Sequence, residues 1–153
     1  MRFLKLSLQN WRNFLRADLD LPGRVFLVGP NASGKSNLLD AFRFLRDVAE
    51  ARGGFQLAVE KRGGVSKIRS LHARRFPDVV VDSTLDLDET TWRYRLVFKQ
   101  DNVRRPIIKE EEVWRGNTVL LKRPDEGDKN DPGRLAQTHH EQVNVNRQFR
   151  EVA

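Results

Sequence analysis

Cysteine is absent from this chain, which excludes a disulfide framework and a thiolate metal site. Histidine is sparse: His72, His139 and His140 form a poor metal-ligand set and read as surface or loop residues. No run of 18 apolar residues occurs, so no membrane-spanning segment and no membrane partner are expected. The opening stretch Met1 to Leu6 alternates like a strand and lacks the continuous apolar core of a signal peptide. A cytoplasmic location is the expectation. Acidic pairs at the end of an apolar strand are missing too. The nearest string, Val79-Val80-Val81-Asp82, has no second acid after Asp82 and reads as an antiparallel strand with a solvent-facing aspartate.

With 153 residues and 17.8 kDa the chain is long enough for one domain with a real core. The formal net charge is +7 and the isoelectric point is near 10.2, a balance that suits a nucleic-acid partner. Arginine supplies 20 of the 28 basic residues, which favours phosphate recognition. The charge is scattered along the chain and not gathered in one block, so it leaves DNA contact and an ordinary solvated surface equally open.

Residues Gly29 to Ser36 read GPNASGKS and fit the phosphate-binding loop pattern G-x-x-x-x-G-K-[ST]. Arg24 to Val28 before it is a short apolar run suited to a buried parallel strand, and Asn37 to Leu45 after it has the period of an amphipathic helix. Strand, glycine loop and helix is the arrangement that phosphate binding requires. A helix N-terminus offers unpaired amide groups and the positive end of the helix dipole. Gly29 and Gly34 let the backbone curl where a Cβ would collide. The backbone of Pro30, Asn31, Ala32, Ser33 and Asn37 completes the cradle. The Lys35 ammonium is expected at the β- and γ-phosphates and the Ser36 hydroxyl at Mg²⁺.

The rest of the chain is organised by period. Arg2 to Gln9 and Leu15 to Leu21 alternate as strands, with Pro22-Gly23 closing the second. The helix after the loop carries Leu38, Phe42 and Leu45 on one stripe and ends at Gly53-Gly54. A weakly patterned stretch with a short helix follows. Residues 79–87 and 92–98 form a hairpin with acids on one strand and bases on the next, and Ile107 to Arg115 with Thr118 to Lys122 form a second. Residues 123–132 read as a mobile polar loop, and Asp131-Pro132 as the start of a helix running toward Ala153. The fold class is therefore α/β: a strand–P-loop–helix lobe with an antiparallel β-subdomain. The chain divides into a P-loop core at 1–55, the β-subdomain at 78–123 and a helical segment at 131–153.

Phe3 to Phe14 (FLKLSLQNWRNF) and Gly29 to Ala41 (GPNASGKSNLLDA) together resemble the RecF/SMC/ABC-like AAA-family ATPases, the OLD-like and anti-phage members included. The resemblance covers nearly the whole chain as an N-terminal lobe of a P-loop NTPase, an incomplete ABC-type head. It implies ATP and Mg²⁺ as cofactors, Arg12 near the nucleotide phosphates, and a glutamine reaching Mg²⁺ and the attacking water. Gln137 and Gln142 are the candidates for that glutamine, with Gln137 preferred as both catalytic residue and metal ligand. It also implies a signature segment, an acidic pair and a switch histidine, none of which occurs in residues 1–153. The chain is accordingly expected to act with a C-terminal lobe or a second subunit, as a homodimer through the ATP site. Three functions stay open at this level: an ATPase lobe serving DNA repair or anti-phage defence, a non-hydrolysing nucleotide- or DNA-binding module, and a P-loop kinase with Arg74-Arg75 or Arg104-Arg105 as a lid.

Overall fold

Period-two alternation produces six strands, and they join into one antiparallel sheet in the order β2-β1-β3-β4-β5-β6. The computed structural model describes residues 1–50, 53–73 and 77–139. Strand β1 (Arg2–Trp11) pairs with β2 (Phe14–Asp20) through the two-residue turn Arg12-Asn13, with Trp11 opposite Phe14. Its other edge pairs with β3 (Val79–Leu87), with Leu8 opposite Val81. The opening hairpin and the later strands thus share one sheet, although nearly sixty residues separate Asp20 from Val79. Strands β4 (Thr90–Gln100), β5 (Pro106–Arg115) and β6 (Thr118–Arg123) extend it as two successive hairpins.

One face of the sheet packs on α1 (Lys35–Ala49). The helix presents Leu38, Ala41, Phe44 and Val48 inward, the 3.6-residue stripe, against Leu6, Leu8, Val79, Val81 and Leu96. Two short helices, α2 (Phe55–Glu60) and α3 (Val65–Ile68), close the core with Phe55, Ala58, Val59, Val65 and Ile68. A chain of rings runs through it: Trp11 to Phe44 at 5.2 Å, Phe44 to Phe98 at 5.5 Å, Phe98 to Phe55 at 5.3 Å. The glycine pair after α1 closes that helix, with the Gly54 amide donating to the Asp47 carbonyl at 3.1 Å.

Two expectations are corrected. Arg24 to Val28 forms no strand: the segment is irregular and exposed, with Phe26 at 85% and Val28 at 89% accessibility. A buried strand needs hydrogen-bonding neighbours, and the described strands satisfy one another by antiparallel pairing. The polar stretch 123–132 is likewise not an exposed loop throughout. Arg123 and Asp128 are among the most buried charged residues, at 4% and 1% accessibility, because each neutralises the other. The helix starting at Pro132 is present but short: α4 spans Pro132–Leu135, and the Asp131 carboxylate caps it by accepting from the Gly133 and Arg134 amides. Its expected continuation toward Ala153, with His140 and Gln142, lies outside the described residues beyond position 139, as do Arg74 and Arg75.

Candidate functional site

The phosphate-loop motif leads directly into α1, whose first residue is Lys35. Gly34 caps the helix at φ +96°, ψ 3°, a left-handed conformation that glycine adopts without strain. No side chain caps this end and the first turn holds no acid, so its positive end is left uncompensated by the protein. The space around Gly34 is full: a Cβ there would lie 2.5 Å from Asn13 Nδ2 and 2.9 Å from Phe14 Cζ. A Cβ on Gly29 would meet Ser33 Oγ at 3.0 Å. Glycine at position 34 is therefore demanded by the geometry, whereas at position 29 the Ser33 hydroxyl could give way.

The β1–β2 turn clamps the loop from one side. Trp11 Nε1 donates to the Asn37 carbonyl at 2.8 Å, and Asn37 Nδ2 donates to Asn13 Oδ1 at 2.8 Å. The turn between Trp11 and Phe14 thus orients the first turn of α1. Lys35 folds back over its own loop, donating to the Gly29 carbonyl at 2.5 Å, the Pro30 carbonyl at 2.6 Å and Ser33 Oγ at 3.3 Å. Ser36 is exposed beside it, as are Asn31, Ala32 and Ser33. Ala32 holds φ +64° at the tip of the loop. Two carbonyl oxygens and one hydroxyl thus hold the ammonium over the loop, next to the uncapped helix end.

Below the first turn lies a charged network that the sequence did not reveal. Asp40 accepts from Arg12 Nη2 at 3.1 Å and from Arg62 Nε at 3.1 Å. Arg62 also donates to Asp47 Oδ2 at 2.9 Å and lies over the Phe44 ring at 5.2 Å. Burial works against charge on Asp47, yet hydrogen bonds from Arg62 and Arg46 hold its carboxyl below the usual range. Arg12 is thus near the P-loop helix, with its guanidinium on Asp40 and on the Lys67 carbonyl. Asp40 is engaged by two arginines. Among the described residues, no cluster of three histidine, cysteine or acidic side chains is placed to hold a metal.

Gln137 sits elsewhere. It follows α4, and its carbonyl accepts from Arg123 Nη1 at 3.1 Å within the buried cluster of Glu111, Arg123 and Asp128. Asp82 lies on β3 with its carboxylate gripped by Arg93 at 2.6 Å and Arg95 at 3.2 Å. It is a cross-strand ion pair of the outer sheet face. Among the described residues, no helix is long and apolar enough to cross a membrane.

A helix led by the glycine loop and clasped by an antiparallel sheet and its first turn has the fold of a lobe of an ABC-type P-loop NTPase head. The chain belongs to the family described as AAA domain, putative AbiEii toxin, Type IV TA system, whose profile matches residues 24–145. It is similar to the DNA replication and repair protein RecF of Roseiflexus castenholzii, with 48% identity over 50 residues, 32% of this chain and 13% of that protein. It is similar to the chromosome partition protein Smc of Methanocaldococcus jannaschii, with 43% identity over 49 residues, 31% of this chain and 4% of that protein. Endonuclease GajA of Bacillus cereus matches at 33% over 67 residues, 44% of this chain and 12% of that protein. A solved structure from work on ATP-driven dimerization and DNA stimulated activation of SMC ATPases superimposes with a TM-score of 0.50 at 17% identity. That likeness covers 79% of this chain and 73% of the other, and it establishes the fold. The chain is thus similar to part of the RecF/SMC-like AAA proteins and spans less than a fifth of the RecF proteins it matches.

Proposed function

We propose that this chain binds ATP at Gly29 to Asn37, with Lys35 on the β- and γ-phosphates and Ser36 on Mg²⁺. Completed by a second lobe or a partner subunit, it hydrolyses that ATP in the service of DNA repair or anti-phage defence. The observation that carries the reading is the Lys35 ammonium turned over the Gly29 and Pro30 carbonyls, beside a helix end with no acid and no cap. A triphosphate would take the ammonium from those carbonyls, because two charge-assisted contacts to phosphate exceed two to neutral oxygens. Bound Mg²⁺ would neutralise the phosphate charge, while this chain's residues orient the nucleotide.

Support for a completing lobe comes from Val25 to Val28, the apolar run leading into the loop. Burying Phe26 and Val28 against a neighbouring strand would stabilise the assembly by roughly 3–6 kcal/mol. The homodimer through the ATP site and the phosphate contact of Arg12 belong to the same proposal.

The test is ATP binding by this chain with Mg²⁺, beside Lys35→Ala, with turnover and molecular mass followed together. Binding that weakens at least tenfold in Lys35→Ala, with negligible turnover, is the expected outcome. Equal affinity in both proteins would sink the nucleotide assignment. Robust Lys35-dependent turnover by the chain alone would place the catalytic carboxylate inside these residues and make Asp82 the first to substitute.

A further inference from the structure

Asp40 carries two arginines, and they are held unequally. Arg62 is 6% exposed and spends its donors fully: Nε on both Asp40 oxygens at 3.1 Å, Nη1 on Asp47 at 2.9 Å and on the Ala58 carbonyl at 2.7 Å. Arg12 is 26% exposed and makes two side-chain contacts, to Asp40 Oδ2 and the Lys67 carbonyl, both at 3.1 Å. Its Nε is buried with no acceptor. Its backbone is left-handed at φ +53°, with the amide donating to the Ile68 carbonyl at 2.6 Å. An idle buried N–H and a left-handed non-glycine backbone each cost free energy, and such outliers concentrate at functional sites.

We infer that Asp40 is a positioning residue that parks Arg12 one helical turn below the phosphate loop, from which Arg12 is released when a polyphosphate occupies the loop. The inference rests on the nucleotide reading above. Three features make Arg12 the mobile member. Asp40 stays neutralised by Arg62 when Arg12 leaves. Release frees the Arg12 Nε from its unpaired burial. Its chain neighbours Trp11 and Asn13 are already bonded to Asn37, and Asp40, which holds the guanidinium, lies four residues, about one turn, after Ser36 on the same helix. The parked state therefore competes with phosphate for the same cation, and it lowers the apparent nucleotide affinity by the fraction of molecules so held.

The test measures Mg–ATP affinity for the unmodified chain, Asp40→Asn, Arg12→Ala and the double variant, with Asp47→Asn as a control. Asp47→Asn weakens the Arg62 bridge without touching the Arg12 contact. Asp40→Asn is expected to bind ATP roughly three- to tenfold tighter, a gain set by the parked fraction. The gain should vanish when Arg12 is alanine and should be absent in Asp47→Asn. A merely structural Asp40 would instead weaken binding in parallel with lost thermal stability, as in Asp47→Asn. Asp40→Asn affinity equal to or below the unmodified chain, with Lys35-dependent binding intact, overturns the parking role and leaves the nucleotide site standing. Absence of Lys35-dependent binding in every variant overturns the nucleotide reading and the parking role together. An arginine Nε resonance of Arg12 unmoved by Asp40→Asn, read by NMR without nucleotide, counts against the parking role alone.

Discussion

Arg123 and Asp128 form a two-pronged ion pair in the interior, Nε to Oδ2 at 2.7 Å and Nη2 to Oδ1 at 3.0 Å. Glu111 joins from β5 at 2.9 Å, itself bonded by Tyr94 and by the His139 amide. The segment from residue 124 to 139 is held to the sheet by this guanidinium together with the His139–Glu111 bond.

The Asp128 carboxyl is held down to about 2 by the Arg123 hydrogen bonds, against an opposing effect of burial. A carboxylate with a depressed folded pKa adds stability above its unfolded value and loses it as the pH falls through the folded value. Asp128 should therefore contribute about 2 kcal/mol at neutral pH, lost between about pH 4 and pH 2. Burial raises Glu111, whose stability contribution runs the opposite way with pH, so the difference between two proteins isolates Asp128. Asp128→Asn should be less stable at pH 7 and should show a flatter stability profile from pH 4 to 2 in urea titrations. Parallel profiles in the two proteins would contradict the assignment.

Gly34→Ala should destabilise the chain by about 1–3 kcal/mol, because alanine must adopt a left-handed conformation and its Cβ must displace Asn13. ATP binding should fall with it, since Asn13 orients Asn37. The measurement is denaturant unfolding beside nucleotide titration. A change within about 0.5 kcal/mol would show that the turn yields at no cost.

Phe26→Asp should leave thermal stability within about 0.5 kcal/mol, since this ring packs against little of the chain. It should also reduce concentration-dependent light scattering of the chain by breaking an exposed apolar run. A loss of about 2–3 kcal/mol would mean that Phe26 is buried by contacts within the chain.

Local periodicity was legible along most of the chain. Alternation in 2–9, 79–87 and 92–98 marked β1, β3 and β4, and the stripe of Leu38, Phe42 and Leu45 marked α1, although Ala41 and Phe44 are buried there while Phe42 and Leu45 are only partly so. The turn at Gly116-Asn117 marked the β5–β6 hairpin. Val25 to Val28 was misread as a buried strand because an apolar run states that a segment avoids water and says nothing about its neighbour. The 123–132 stretch was misread because a polar residue count cannot distinguish solvated charges from a pair that neutralises itself in the interior.

By itself, the sequence determined the phosphate loop, the helix behind it and the two later hairpins, since these depend on spacing within a few residues. Tertiary structure alone decided that β1 lies between β2 and β3, that the Trp11–Phe14 turn grips Asn37, and that Asp40 is shared by Arg12 and Arg62. Apart from the β1–β2 hairpin, those contacts join residues 22 to more than 70 positions apart. Their partners are selected by the three-dimensional packing of complementary surfaces and charges, which no local periodicity encodes.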